Sequence, residues 1–155
     1  MGLGFFRRSI EIVKRHRRPG TRISHTIQTN GILVDDEWCA FLRENRFLVG
    51  LSMDGPKRLH DVYRKGRGGK PTFEKVMRAA KRLREHRVDM NLLCTVHVAN
   101  AERPLEVYRF LHDEVGAEFL QLPTHRPPDA DPGHARAQRS RSGGGVRAPA
   151  RAAAG

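Results

Sequence analysis

The sequence predicts an α/β fold: about four parallel strands with flanking helices, followed by a disordered tail. Three observations predict it. Strand-like and helix-like segments alternate along the first 123 residues with short connections, the pattern of a parallel sheet joined by crossover helices. Residues 47–52, Phe-Leu-Val-Gly-Leu-Ser, form a continuous apolar run of the kind covered on both faces. Two strands stop abruptly in small polar residues and glycine, at Gln28-Thr29-Asn30-Gly31 and at Ser52-Met53-Asp54-Gly55-Pro56. In parallel sheets and barrels such endings line the ligand-binding rim.

Each element has its own signal. Residues 3–18 put Phe6, Ile10 and Val13 on one helical face, beside Phe5 and Ile12, with basic groups opposite, and Pro19-Gly20 stops the helix. Residues 22–29 read as a strand. Asp35 and Asp36 cap a helix whose inner face carries Trp38, Phe41 and Leu42. Pro56 opens a short helix through Leu59, Val62 and Tyr63. The glycine-rich segment Gly66 to Pro71 reads as a flexible connector. It lacks the Gly-x4-Gly-Lys-Ser/Thr framework of a phosphate loop, although Lys70 lies within it. Thr72 is a suitable N-cap for a helix with Phe73, Val76, Met77, Ala80 and Leu83 inward. Residues 88–98 read as a strand and residues 104–115 as a helix with Val107, Tyr108 and Leu111 inward, ended by Gly116. Residues 117–122 read as a last strand. Four strands make an arc, not a closed barrel.

Residues 1–123 are thus expected to form the folded unit. Residues 124–155 hold Arg, Ala, Gly, Pro and Ser with Val146 as the only larger aliphatic residue, which leaves nothing for a core. This tail has six arginines against two aspartates.

The whole chain has 29 Lys+Arg against 17 Asp+Glu, a formal charge of +12. That balance admits non-specific attraction to nucleic acid. Without an aromatic stacking platform or a helix-turn-helix pattern, a basic nucleic-acid-binding module is the second reading, behind solvated faces and a basic tail. No apolar run is long enough to span a membrane and no signal-peptide core is present, so a cytoplasmic location and no membrane partner are expected. Two cysteines, Cys39 and Cys94, stand far apart and read as small buried apolar residues.

The strand ends, together with Asp35-Asp36-Glu37-Trp38, His60-Asp61, Tyr63-Arg64, Gly68-Gly69-Lys70 and Pro104-Leu105-Glu106-Val107-Tyr108, resemble the anaerobic sulfatase-maturating enzymes. These are radical S-adenosylmethionine (SAM) proteins. The resemblance runs from about residue 3 to residue 121, with several motifs in order. It implies a partial (β/α)6 radical SAM (TIM-like) barrel, SAM and a [4Fe-4S] cluster as cofactors, a sulfatase polypeptide as partner, and oxidation of its Cys or Ser to formylglycine. It also implies that Ser52 and Arg64 contact SAM.

Three departures accompany it. The family's Cys-x3-Cys-x2-Cys cluster loop and its Gly-Gly-Glu-Pro segment have no counterpart here. The last strand continues as Gln121-Leu122-Pro123-Thr124-His125-Arg126, where the family has Gln-Phe-Ile-Pro and an acid. The auxiliary-cluster region and the family's catalytic Asp are also absent. The expectation is an internal fragment, natural or from a frameshift or gene-calling artefact, inactive alone. A third reading is a fragment complementing a separate N-terminal half.

Among the remaining residues, a Ser52 hydroxyl at a strand end suits a ligand carboxylate, and Arg64 offers a planar fork for the same group. Asn30 reads as turn chemistry or as a rim ligand. Asp54 reads as a turn-former or as a pocket group. Gln28 points into or out of the arc, and the two-residue period alone does not fix which. His97 reads as a polar core or rim group.

A [4Fe-4S] cluster takes three or four neighbouring thiolates, so none is expected on this chain. Anaerobic reconstitution of the purified chain with iron and sulfide should leave it without the visible absorption of a thiolate-bound cluster; a stoichiometric band would overturn this.

Overall fold

A computed structural model describes residues 2–123; the reading of residues 124–155 as a tail lies outside the described residues. The elements in chain order are α1 (Leu3–His16), β1 (His25–Thr29), α2 (Asp36–Glu44), β2 (Phe47–Ser52), α3 (Lys57–Tyr63), α4 (Phe73–Glu85), β3 (Asp89–Leu93), α5 (Val98–Ala101), α6 (Pro104–Arg109) and β4 (Leu120–Gln121). The last turn of α6 widens into a π-turn over Phe110–Glu114, and a 3-10 turn covers Arg67–Gly69.

The sheet order is β1-β2-β3-β4, and every pair is parallel. Right-handed crossovers between strands taken in sequence order put all the connecting helices on one face. The result is an arc of a barrel, with helices outside and, among the described residues, no helix over the concave face inside. Burial along β2 follows this geometry. Phe47, Val49 and Leu51 are buried under α2 and α4, whereas Leu48 is 37% exposed. The buried cluster continues through Leu42, Val76, Leu83, Leu92, Val107 and Leu111.

Gly50 fixes which side chains share the concave face. A Cβ there would lie 2.6 Å from Leu93 Cδ1 and 3.3 Å from Gln28 Cγ. The register pairs Gln28 with Gly50 and Ser52 with Leu93, and parallel partners point the same way. Gln28, Ser52 and Leu93 therefore face the inside of the arc.

Several elements differ from the sequence expectation. The strands are shorter, because residues near their ends are tied into loops. β3 ends at Leu93, although Cys94 N–H still donates to Gln121 C=O at 2.9 Å and Val96 N–H to Pro123 C=O at 3.1 Å, and Val98–Ala101 forms a turn of helix where the strand's last residue and a loop were expected. Tyr63 is 60% and Tyr108 51% exposed, while His60 is fully buried beside Leu59. The Gly66–Pro71 segment is not a loose connector: Lys65 and Pro71 form an antiparallel bridge, and Gly66 N–H donates to Lys70 C=O at 2.8 Å. Thr72 precedes α4 as expected, but the carboxylate of Asp61 accepts the N–H groups of Thr72 and Phe73 at 2.9 and 3.0 Å. Asp35 caps α2 as expected, accepting from Trp38 N–H.

Gly31 ends β1 at φ +73°, where a Cβ would come within 2.6 Å of Leu51 Cδ1 and 3.0 Å of Ala79 Cβ. Gly68 has a similar φ of +74° with nothing near it. Gly31→Ala is expected to lose about 1–3 kcal/mol through backbone strain and overpacking, and Gly68→Ala distinctly less. Urea midpoints check the ranking.

Candidate functional site

The site forms where β2 and β3 end. After Ser52 the chain leaves the sheet. Gly55, at φ +108°, packs against Val107, and Pro56 starts α3. This seven-residue helix brings Arg64, at its C-terminal end, back over Asp54. Asp54 is 2% exposed. Its Oδ2 accepts from Arg64 Nε at 2.7 Å, and its Oδ1 accepts from Arg64 Nη2 at 2.9 Å and from Thr95 N–H at 2.9 Å. The second hydrogen of Arg64 Nη2 reaches Thr95 Oγ1 at 3.1 Å.

A guanidinium has five N–H donors. Three are used here, and the two on Nη1 have no partner among the described residues. Arg64 is part-exposed, its side chain retaining 25% accessibility. The fork is thus closed on Asp54, and one nitrogen remains for a ligand. Asp54 does more than form a turn: it holds the arginine. Ser52, two residues earlier on the concave face, is half-buried, and its hydroxyl makes no hydrogen bond among the described residues.

A second layer fixes this pair. Asp54 N–H donates to His60 Nδ1 at 3.3 Å, and Thr72 Oγ1 donates to Arg64 C=O at 2.7 Å. His60 Nε2 lies 3.1 Å from Thr72 Oγ1. Because Nδ1 accepts, the proton sits on Nε2 and points at the threonine, which makes His60 a neutral imidazole. Its burial lowers the pKa from 6.5, against the pull of Asp54 and Asp61. Asn100, 3% exposed, donates from Nδ2 to Thr95 C=O at 2.9 Å and to Asp54 C=O at 3.3 Å. His97 stacks edge-on against Tyr63, with Nε2 3.7 Å from Asp54 Oδ2. Both His97 ring nitrogens are buried without a hydrogen-bond partner among the described residues.

Asn30 stands apart from this cluster. Its Oδ1 accepts from Ile32 N–H at 3.2 Å, closing its own turn, and its side chain borders a separate cleft with Lys65 and Lys70. Gln28 faces the concave side, as Gly50 established. Sequence reasoning singled out Asp54, Arg64, Ser52 and His97 but passed over His60, Thr95 and Asn100 as site residues and took Thr72 only as a cap. His60 carried one available signal: a polar residue adjoining Leu59 on a short helix.

Cys39 in α2 and Cys94 just after β3 are both buried, with thiols pushed by burial up to about 11 and about 12. Protonated, enclosed thiols in different segments do not fit an iron–sulfur cluster. Among the described residues, no group of three His, Cys, Asp or Glu side chains is arranged for a metal. No helix among them is long and apolar enough to cross a membrane.

Residues 5–111 match the Radical SAM superfamily. The chain belongs to the radical SAM superfamily. Within it, the chain is 45% identical to a serine-type anaerobic sulfatase-maturating enzyme of Bacteroides thetaiotaomicron over 120 residues, 77% of this chain and 28% of that protein. It is 43% identical to a cysteine-type enzyme of Clostridium perfringens over 121 residues, 78% of this chain and 32% of that one. A solved structure described as native anSMEcpe with bound AdoMet and Cp18Cys peptide superposes with a TM-score of 0.78 at 41% identity, covering 82% of this chain and 35% of that chain. This radical SAM chain therefore spans about a third of the length of the relatives it matches. The parallel arc is the part of the fold that the likeness covers.

The neutral, buried His60 has a pH consequence. Its folded pKa lies below its ordinary value, so the unfolded chain takes up the proton first as pH falls. Stability from this site is complete above pH 6.5 and is lost as pH falls below it, by up to about 1.4 kcal/mol per pH unit. Subtracting the pH–stability curve of His60→Gln from that of the parent chain should reveal a component with this sign.

Proposed function

We propose that this chain provides the carboxylate-binding side of a SAM site in an enzyme that oxidises a Cys or Ser of a sulfatase to formylglycine. The observation that carries the reading is Arg64: Asp54 clamps one edge of its guanidinium and leaves Nη1 unpaired at the end of β2. Ser52 supplies a hydroxyl at that same strand end. Both groups donate hydrogen bonds and fit the methionyl carboxylate of SAM. When bound, SAM supplies the source of hydrogen-atom abstraction in this superfamily.

The chain's own residues bind and orient. Arg64 and Ser52 hold the carboxylate, Asp54 and Thr95 hold Arg64, and Asn100 braces the loop ends. Asn30 contributes a turn at the end of β1 and only weakly to a ligand. Two enclosed cysteines supply no cluster, so this chain alone runs no radical step. The cluster ligands come from other polypeptide, either elsewhere in a longer chain or in a separate N-terminal half. The concave face of the arc is where such a segment docks. The sulfatase is the partner whose side chain is oxidised. Free cysteines accord with a reducing compartment, and we place the protein in the cytoplasm.

The test is nuclear magnetic resonance of the isotope-labelled chain titrated with SAM and with decarboxylated SAM. SAM should shift the Ser52 amide and the Arg64 side-chain signals, and the decarboxylated compound should not. Arg64→Lys should weaken SAM binding by about tenfold or more, the worth of a hydrogen bond to a charged group. Equal shifts with both compounds, or none near Ser52 and Arg64, contradict the reading.

A further inference from the structure

A cleft of about 690 Å³ opens between the β1–α2 turn and the loop joining α3 to α4, adjoining the Asp54–Arg64 cluster at Thr72. Four cations line it: Lys65, Arg67, Lys70 and Lys75. None of them pairs with a carboxylate among the described residues. The acids nearest in sequence are engaged elsewhere. Asp61 accepts the first N–H groups of α4, and Glu74 takes Lys57 at 2.8 Å. Like charges gathered around one cavity repel, and an anion in that cavity relieves the repulsion.

The arrangement is built rather than loose. The Lys65–Pro71 bridge closes the base of the loop, Gly69 N–H donates to Gly66 C=O at 3.1 Å, and Thr72 ties α4 to Arg64. Opposite the cations, Asn30 spends its Oδ1 on Ile32 N–H and keeps its amide Nδ2 as a donor. The walls also carry apolar surface from Ile32, Pro71 and Leu33, the last 79% exposed. A small inorganic anion would use the cations but not this surface. A peptide alternating acidic and apolar side chains would use both.

We propose that this cleft is a docking groove for an acidic, amphipathic stretch of polypeptide. Its four cations are not ligands in the SAM reading, although Thr72 borders both places and Asn30 lies on the cleft's rim.

Fluorescence anisotropy tests it, using the full chain at low salt and a labelled peptide alternating Glu and Leu. The competitors are the same peptide with Gln for Glu, and inorganic tripolyphosphate. Two double variants change net charge equally: Lys65→Glu with Lys70→Glu in the cleft, and Arg8→Glu with Arg15→Glu on α1. The acidic peptide should bind, the cleft pair should weaken it about tenfold or more, and the α1 pair should change it less than about twofold. The Gln peptide should not compete. If the cleft pair does not fold, Lys65→Gln with Lys70→Gln should still give a clear, smaller loss. Equal losses from both pairs would mean that only overall charge matters. That result, binding of tripolyphosphate without the peptide, or no peptide binding, overturns the proposal.

Discussion

The buried ion pair between Asp54 and Arg64 organises the end of this sheet. A carboxylate at 2% exposure is costly unless it is fully hydrogen-bonded. Here it takes two bonds from one guanidinium and one from the Thr95 backbone. That requirement draws two strand ends and a helix end together. The β2 end supplies Asp54, the α3 end supplies Arg64, and the β3 end supplies Thr95. Removing Arg64 leaves Asp54 without its counter-charge in a nearly closed space, the kind of change that costs about 3–5 kcal/mol, whereas removing Asp54 leaves a guanidinium that is 25% accessible and costs less. The pair also has a functional corollary: a guanidinium clamped along one edge presents its remaining nitrogen in a single direction.

The second constraint is the one-sidedness of the sheet. Strand order and parallel pairing place the helices together, and the apolar set of Phe47, Val49 and Leu51 packs under them. The opposite face carries Gln28, Gly50 and Ser52 together with the apolar Leu48 and Leu93. Gly50 has no side chain because Leu93 and Gln28 already occupy the space above it. A face built this way binds or is covered by something else. The likeness to radical SAM enzymes covers this arc and about a third of their length.

Most of the element order was legible because its signals are local. Periodicity placed α1, α2 and α4, the continuous apolar run placed β2, and Asp35 announced its helix. What was not legible depends on contacts distant in sequence. Nothing in the residues around Asp54 says that Arg64 will fold back onto it. Thr72 advertised a cap, yet Asp61 provides the bonds, which frees the threonine hydroxyl for Arg64 C=O. Three glycines advertised looseness between residues 66 and 71, yet the cross-bridge at Lys65 and Pro71 ties the loop. His60 was overlooked because the partners of its two ring nitrogens are Asp54, beyond the end of β2, and Thr72, just before α4, which its own segment does not reveal.

The position of the SAM carboxylate is the most direct test of the Ser52–Arg64 site. Crystals of the chain grown with the selenium analogue of SAM would locate it by anomalous diffraction. The expected result is a selenium peak over the concave face, with the ligand carboxylate hydrogen-bonded to Ser52 Oγ and Arg64 Nη1 and the Asp54–Arg64 pair intact. A peak on the helical side, or a carboxylate that displaces Asp54 from Arg64, would contradict it.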